Sequence, residues 1–546
     1  MSIVADAPAA CGVLSTAPRA SRELLWCRLL AVVVVGAFLV YFGAFCFAQW
    51  WGGDFQVYSA ALSRLYENLW HPVHETIDAP GVQSFTYSPY LLLVALGGKL
   101  AGVTPYRALQ CAGVFNLVLF VATAGAFFRQ HSLHRRWEIP LCCFLFATLC
   151  LRWTNFGWSS ETTLVNLQYT QAYPSTFAWA LAFLSFALVK PVIRSWNVPA
   201  LLGLSATLAV LFVTHVLTGS WVIGILGVYG LHSAVAQKSH VPLTRLLAAL
   251  ALAGGLSLLW PYPATVGEGS LHIQEGSHFG RNPIQDLKNL YWAALPCAAY
   301  LYGRLRKHEV WVYGFMATLA ALWLWRRLGV EYGNRYTFFA AFVAQFAVAE
   351  AMAFGVFALA RPLGELPSER KWPALDRPVA IGLLVASLLA SVPSPMYSEH
   401  RAELRLPLLE SGELSPHDAY YTRYSDLRAH LQKQDIVMCW RMRPIFDLAA
   451  LSGTRFVNAP FLVRVPDAAE REEDMRSFYD PNSSSDTRDE IVQRRGVTKI
   501  ILLPDQFAIF EDLREQYGDP LYRDSEWALF STVSRAGSAE VSHTLR

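Results

Sequence analysis

Apolar runs that approach 20 residues recur through the first 395 positions of this chain, and Arg and Lys cluster in the short segments between them. A helix needs about 20 consecutive apolar residues to cross the hydrocarbon core of a bilayer. A chain written this way folds as a bundle of membrane-spanning helices, not around one water-facing core. Composition agrees: 54% of residues are hydrophobic and only 16% are charged, against about 25% in ordinary soluble domains. The net charge of +3 is too small to attract a polyanion, so the expected surroundings are membrane lipid and no nucleic acid. The nine Cys lie mostly in or beside apolar runs and show no C-x-x-C spacing, so they read as small buried hydrophobes.

Positive residues favour the cytoplasmic side of a membrane. Residues 1–24 then form a cytoplasmic tail, and residues 25–47 a retained signal anchor running outward. Loop 48–105 is external. Spans follow at 107–128, 138–152, 173–190, 198–217, 219–236, 246–264, 290–303, 309–325, 336–360 and 378–395, about eleven with the first. Inner loops collect Arg129, Arg135 and Arg136, then Lys190 and Arg194, then Lys238 and Arg245. Residues 89–103 are nearly long enough to be a span, but they contain Lys99 and the Gly97-Gly98 pair. Counting them as one would put the Arg129–Arg136 group outside and invert every later loop. They read as a helix lying in the interface.

From 396 to 546 the composition becomes soluble. Strand patterns at 435–440, 455–460 and 497–504 alternate with helix patterns at 444–453, 486–496 and 506–518, and a hairpin strand lies at 527–533. This is a small external α/β domain with some parallel strands. Residues 461–485 read as a mobile loop.

The stretch from Trp50 to Arg107 organises the rest. It opens with Gly52-Gly53-Asp54, continues with an amphipathic helix bearing Ala61, Leu62, Leu65 and Leu69 on one face, and reaches Tyr87-Ser88-Pro89-Tyr90 at the head of the interface helix. This layout resembles the GT-C class of integral-membrane glycosyltransferases, in which a first helix leads to a large external loop with an acidic residue near its start. Ser88 stands where that class usually has a Pro. Asn334-Arg335-Tyr336 is similar to the Arg-aromatic start of a late helix in such enzymes, and the Ser-Gly-Thr-Arg between two tail elements resembles their external tail domains. The resemblance implies a polyprenyl-phosphate-linked sugar donor, a glycan, glycolipid or protein acceptor, and a place in a bacterial inner (plasma) membrane.

Glycosyl transfer needs a base for the acceptor hydroxyl proton, and a well-placed carboxylate serves. Asp54 is the leading candidate, with a helix N-cap as the competing reading. Glu161, among Trp153, Trp158 and Tyr169, is the second. Glu67 reads as a solvated helix face and Asp78 as a loop carboxylate. Arg326, Arg327 and Arg335 break the positive-inside trend, and Arg suits a phosphate that leaves as an anion. His215, polar in an apolar setting, and Tyr87 are further substrate-site candidates. In loop 265–289, Glu268, His272, Glu275 and His278 have helical spacing. A substrate-covering loop with Glu268 and His278 toward the substrate competes there with a divalent-cation site; no other cofactor is called for.

These readings converge on inverting transfer of mannose, or another hexose or pentose, at the external face. A transporter or flippase of a lipid-linked intermediate is the alternative. It shares the spans and the phosphate-binding Arg, but no inverted repeat or matching pair of broken helices is visible.

Overall fold

A computed structural model describes residues 17–48, 54–79, 86–131, 136–150, 170–262, 336–360, 424–440, 442–459 and 465–532, with isolated positions between. The apolar run after the N-terminal tail forms α1 (Ala17–Ala48), and α2 (Phe55–Glu67) follows. Helix α3 (Pro89–Leu100) starts where Ser88 accepts a hydrogen bond from the Leu91 amide and Pro89 supplies a preset φ. The helical series continues with α4 (Pro105–His131), α5 (Glu138–Cys150), α6 (Pro174–Arg194), α7 (Val198–Thr214), α8 (Val216–Ala236), α9 (Val241–Leu258) and α10 (Tyr336–Ala360).

Among the described residues, five segments are long and apolar enough to cross a membrane: Leu25–Phe47, Pro105–His131, Pro174–Arg194, Val216–Ala236 and Val241–Leu258. Pro89–Leu100, Glu138–Thr148, Val198–Thr214 and Gln345–Phe357 are shorter apolar helices. The protein is an integral membrane protein. The span expected at 246–264 begins earlier, because Pro242 takes the first turn of α9 and the helix ends at Leu258. The segment expected at 290–303 lies outside the described residues, and those at 309–325 and 378–395 are described only at isolated positions.

Rings fill the core of the bundle. Trp179 stacks on Phe342 with centroids 4.4 Å apart, and Trp221 on Phe339 at 4.6 Å. Basic side chains gather at one end. Arg28 pairs with Glu138 at 3.9 Å, Lys190 Nζ donates to the Gln130 carbonyl at 2.7 Å, and Arg245 donates to the Ile193 carbonyl at 2.8 Å.

The tail residues fold as α11 (Ser425–Ala429), β1 (Ile436–Met438), α12 (Met442–Ser452), β2 (Arg455–Phe456), α13 (Ala468–Tyr479), α14 (Ser485–Arg495), β3 (Lys499–Leu502), a 3-10 turn (Pro504–Ile509), α15 (Phe510–Tyr517), β4 (Tyr522–Arg523) and β5 (Ala528–Ser531). The sheet order is β2-β1-β3-β5-β4. β1 runs parallel to β2 and β3, with Val437 opposite Phe456 and Lys499. β5 is antiparallel to both β3 and β4. Gly496, at φ 63°, ends α14 in the left-handed conformation that a Cβ would strain.

One expectation is corrected here. Much of 461–485 is not a mobile loop: Ala468–Tyr479 is helical. Its apolar residues are few, so the sequence shows little periodicity. Met475 and Phe478 bury their side chains in the core, and charge adds to that hold. Arg471 bonds Asp467 at 2.9 Å along the helix, and Asp474 accepts from Arg494 and Arg495 of α14.

Candidate functional site

Asp54 stands half-buried at the head of α2. Its backbone carbonyl accepts from the Tyr58 amide at 3.0 Å, which begins the helix. Its side chain makes no capping hydrogen bond, so the carboxylate is not doing the work of an N-cap. Tyr173, 2% exposed at the head of α6, lies beside it. Burial raises the Tyr173 phenol well above its ordinary pKa, and the Asp54 carboxylate adds to that rise. The backbone N–H groups of Phe55 and Asp54 act the other way. The phenol therefore keeps its proton at neutral pH. Aromatic rings surround the pair: Tyr58 meets Tyr173 edge-on at 5.2 Å, and Phe55 meets Tyr106 at 5.3 Å.

A buried polar network holds Tyr173 in place. Asn116 Nδ2, inside α4, donates to the Gln171 carbonyl at 2.8 Å and to the Tyr90 hydroxyl at 3.0 Å. Tyr90, from α3, in turn donates to the Ala172 carbonyl at 2.5 Å. Two helices, α3 and α4, are thus tied to the turn that presents Tyr173. Each of these groups is buried and would cost ~1–3 kcal/mol if left unpaired. Gly98 lets α3 approach: a Cβ there would stand 1.8 Å from the Tyr66 hydroxyl and 2.6 Å from the Ala108 Cβ.

The other end of α2 is anchored in the tail domain. Arg64, 3% exposed, donates from Nη2 to the Gly453 carbonyl at 2.9 Å, and from Nη1 to Glu67 at 3.2 Å. Lys433 completes the set at 3.0 Å from Glu67. Glu67 is therefore an ion-pair partner, not a merely solvated carboxylate. Residues 76–78 extend the sheet at its β2 edge. The Phe456 amide donates to the Thr76 carbonyl at 2.8 Å, and the Asp78 amide to the Phe456 carbonyl at 3.0 Å. Asp78 also pairs with Arg455, and Arg471 Nη2 donates to the Asp78 carbonyl at 2.9 Å. The turn before this strand is built on His74, whose Nδ1 accepts from the Thr76 amide at 3.3 Å. Burial holds the His74 imidazole below its ordinary pKa, which suits that acceptor role.

The remaining candidates separate into two groups. His215 lies between α7 and α8, where its Nδ1 accepts from the Thr218 amide at 3.3 Å and lies 2.9 Å from the Thr218 hydroxyl. Tyr87 is 1% exposed, and its hydroxyl donates to the Val73 carbonyl. The structure does not bring either into contact with Asp54 through any described bond. Glu161, Glu268, His278, Arg326, Arg327 and Arg335 lie outside the described residues, as do His272 and Glu275. Among the described residues, no group of three or more His, Cys, Asp or Glu could hold a metal ion. One residue beside Asp54 escaped the sequence reading. Tyr173 is 119 positions away (173 minus 54), and nothing local marks it. Arg107 is exposed at the start of α4, 5.8 Å over the Phe47 ring, and donates to Gln110 Oε1 at 2.7 Å.

No protein-family model matches the sequence, and no curated protein matches it. Solved structures do. ArnT from Cupriavidus metallidurans in the apo state aligns with TM-score 0.54 and 13% identity, covering 94% of this chain and 98% of that one. The same protein bound to undecaprenyl phosphate gives 0.53 and 12%, covering 93% and 98%. The arabinofuranosyltransferase AftD from Mycobacteria gives 0.51 and 13%, covering 93% of this chain and 40% of that one. At such identities the likeness is one of fold: the chain has the fold of GT-C membrane glycosyltransferases.

Proposed function

We propose that this protein transfers one sugar from a polyprenyl-phosphate carrier to an acceptor hydroxyl at the external membrane face, with inversion at the anomeric carbon. The observation that carries the reading is the Asp54 carboxylate: it heads α2 without capping it, beside Tyr173, in a chain of GT-C fold. In the proposed step Asp54 takes the proton of the acceptor hydroxyl. The acceptor oxygen bonds to the anomeric carbon, and the bond from that carbon to the phosphate oxygen breaks. The carrier phosphate leaves with the electron pair. It departs as a stable anion, so the step needs no paired acid. Tyr173 is a positioning residue that orients the head of α2. Arg107 and Arg335 are the proposed phosphate contacts, because a guanidinium holds phosphate in a fork and stabilises the leaving charge. The sugar is mannose or another hexose or pentose. The N-terminus is placed in the cytoplasm and residues 396–546 outside.

The test uses membranes carrying the wild-type chain or Asp54→Asn at equal expression, supplied with radiolabelled polyprenyl-phosphate sugars. Label leaving the carrier should fall about 10²- to 10⁴-fold in the variant, the range for loss of a general base. Transfer at the wild-type rate by Asp54→Asn would remove Asp54 from the mechanism and make Glu161→Gln the next variant. Carrier movement across the membrane without bond cleavage would replace the transferase reading with the flippase one.

A further inference from the structure

A second site lies at the end of the bundle opposite Asp54. There α1, α4, α5 and α6 leave a cavity of about 1040 Å³. Its depth is apolar, walled by Val35 of α1, Val121 and Ala122 of α4, and Leu141 of α5. Its mouth is cationic, with Arg129 ending α4 and Lys190 and Arg194 ending α6. From Val121 to Arg129 the wall runs roughly 12 Å along α4 at 1.5 Å per residue. Along α1, the cavity residues near Val32 lie roughly 24 Å from the helix end at Ala48 that leads to Asp54. The two sites are therefore separate.

None of the described residues lining the cavity is acidic. The carboxylate next to it in sequence, Glu138, follows the lining residue Trp137 but pairs with Arg28 at 3.9 Å. Arg129 and Arg194 are both exposed, while Ala122 and Val32 are exposed on the apolar wall. An exposed apolar trough that ends in uncompensated guanidinium groups is complementary to one kind of molecule: a chain of methylenes ending in a phosphate. Basic pockets between helices on the positive side of a membrane protein bind anionic lipid headgroups on this principle.

We infer that this groove is a binding site for an anionic glycerophospholipid, with the phosphate at Arg129 and Arg194 and one acyl chain along Val35, Val121 and Ala122. The inference is independent of the chemistry proposed at Asp54. Its ligand is structural, held in the leaflet away from the proposed reaction.

The full-length protein would be reconstituted with phosphatidylcholine and phosphatidylglycerol, extracted gently, and its retained lipid counted by native mass spectrometry. Wild type should retain phosphatidylglycerol over phosphatidylcholine by about tenfold, and Arg129→Gln with Arg194→Gln should bring the two to parity. Lys238→Gln, an inner-end charge outside the cavity, should change nothing. Ala122→Leu, which fills the trough without touching charge, should lower retention while the protein stays monodisperse. Undiminished preference in the double Gln variant would overturn the site. So would equal loss in Lys238→Gln, which would mean only a diffuse surface charge. Displacement of phosphatidylglycerol by equimolar polyprenyl phosphate would assign the groove to the carrier and overturn the occupant named here.

Discussion

In the bundle, the largest fully buried side chains include rings: Phe120, Phe127 and Phe144 pack around Phe183, and Trp179 packs on Phe342. In the tail domain, Arg488 is among them, 1% exposed and satisfied by the Phe478 carbonyl at 3.1 Å, the Asp480 carbonyl at 2.9 Å and Asp512 at 3.1 Å. The difference follows from the solvent. Lipid offers helices no hydrophobic drive to associate, so shape and ring packing must hold them. The tail domain is built instead on a sheet ladder and ion networks such as Asp467 with Arg471 and Arg495. Helix α2 belongs to both regimes. One face meets α3 and α4, while Arg64 reaches into the tail domain.

Three measurements bear on this contrast. The largest effect belongs to the bundle. Trp179→Ala should cost about 3–5 kcal/mol, as ring deletions in packed cores do. Denaturation in detergent should show a loss that does not change with added salt. A salt-dependent loss would mean that charge, not packing, holds the rings. At the seam, Arg64→Ala should cost about 1.5–3 kcal/mol, the scale of hydrogen bonds from a charged donor. Hydrogen exchange should speed at Phe456 and Asp78 while the bundle stays protected; uniform protection would show that the tail domain docks without Arg64. The smallest effects are in pH. His74 is depressed when folded, so the unfolded chain binds the proton first. The seam's stability is full above the ordinary histidine pKa of about 6.5 and is lost as pH falls below it. Asp467 is also depressed, although burial alone would raise it, because the hydrogen bonds and charges of Arg471 and Arg495 prevail. Its contribution is present above the ordinary carboxylate value of about 3.9 and is lost as pH falls further. Fluorescence or exchange across pH 7 to 3 should therefore register the seam before the tail network; the reverse order would contradict the assignment.

Much of the membrane part was readable because a bilayer enforces a length that local sequence must obey. The apolar helix at Pro89–Leu100 was readable from Ser88-Pro89 and its interrupted apolar run. The strand at Lys499–Leu502 was readable from VTKIILLP. What could not be read depends on partners far away in the chain. Residues 76–78 show no strand pattern and become one only because Phe456 offers a ladder edge. Tyr173 is held beside Asp54 by a network whose side chains come from α3 and α4. α13 has only a short apolar face, at Met475 and Phe478, and is held as well by Arg495, which no window around residue 470 contains. At the candidate site, Asp54 drew notice in the sequence from its position after the glycines. Whether it caps α2 depended on side-chain geometry that spelling does not carry.

The seam also has a consequence in time. Arg64 and Gly453 are 389 residues apart in the chain. At translation rates of about 5–20 residues per second, that interval takes roughly 20–80 s. During it the segment between α2 and α3 has been made but has no β2 edge to join. The helix that carries Asp54 gains its far anchor only when the last fifth of the polypeptide has been synthesised and folded. A half-made copy therefore holds its proposed base on a helix packed against α3 and α4 alone, and completion of the chain supplies the second anchor.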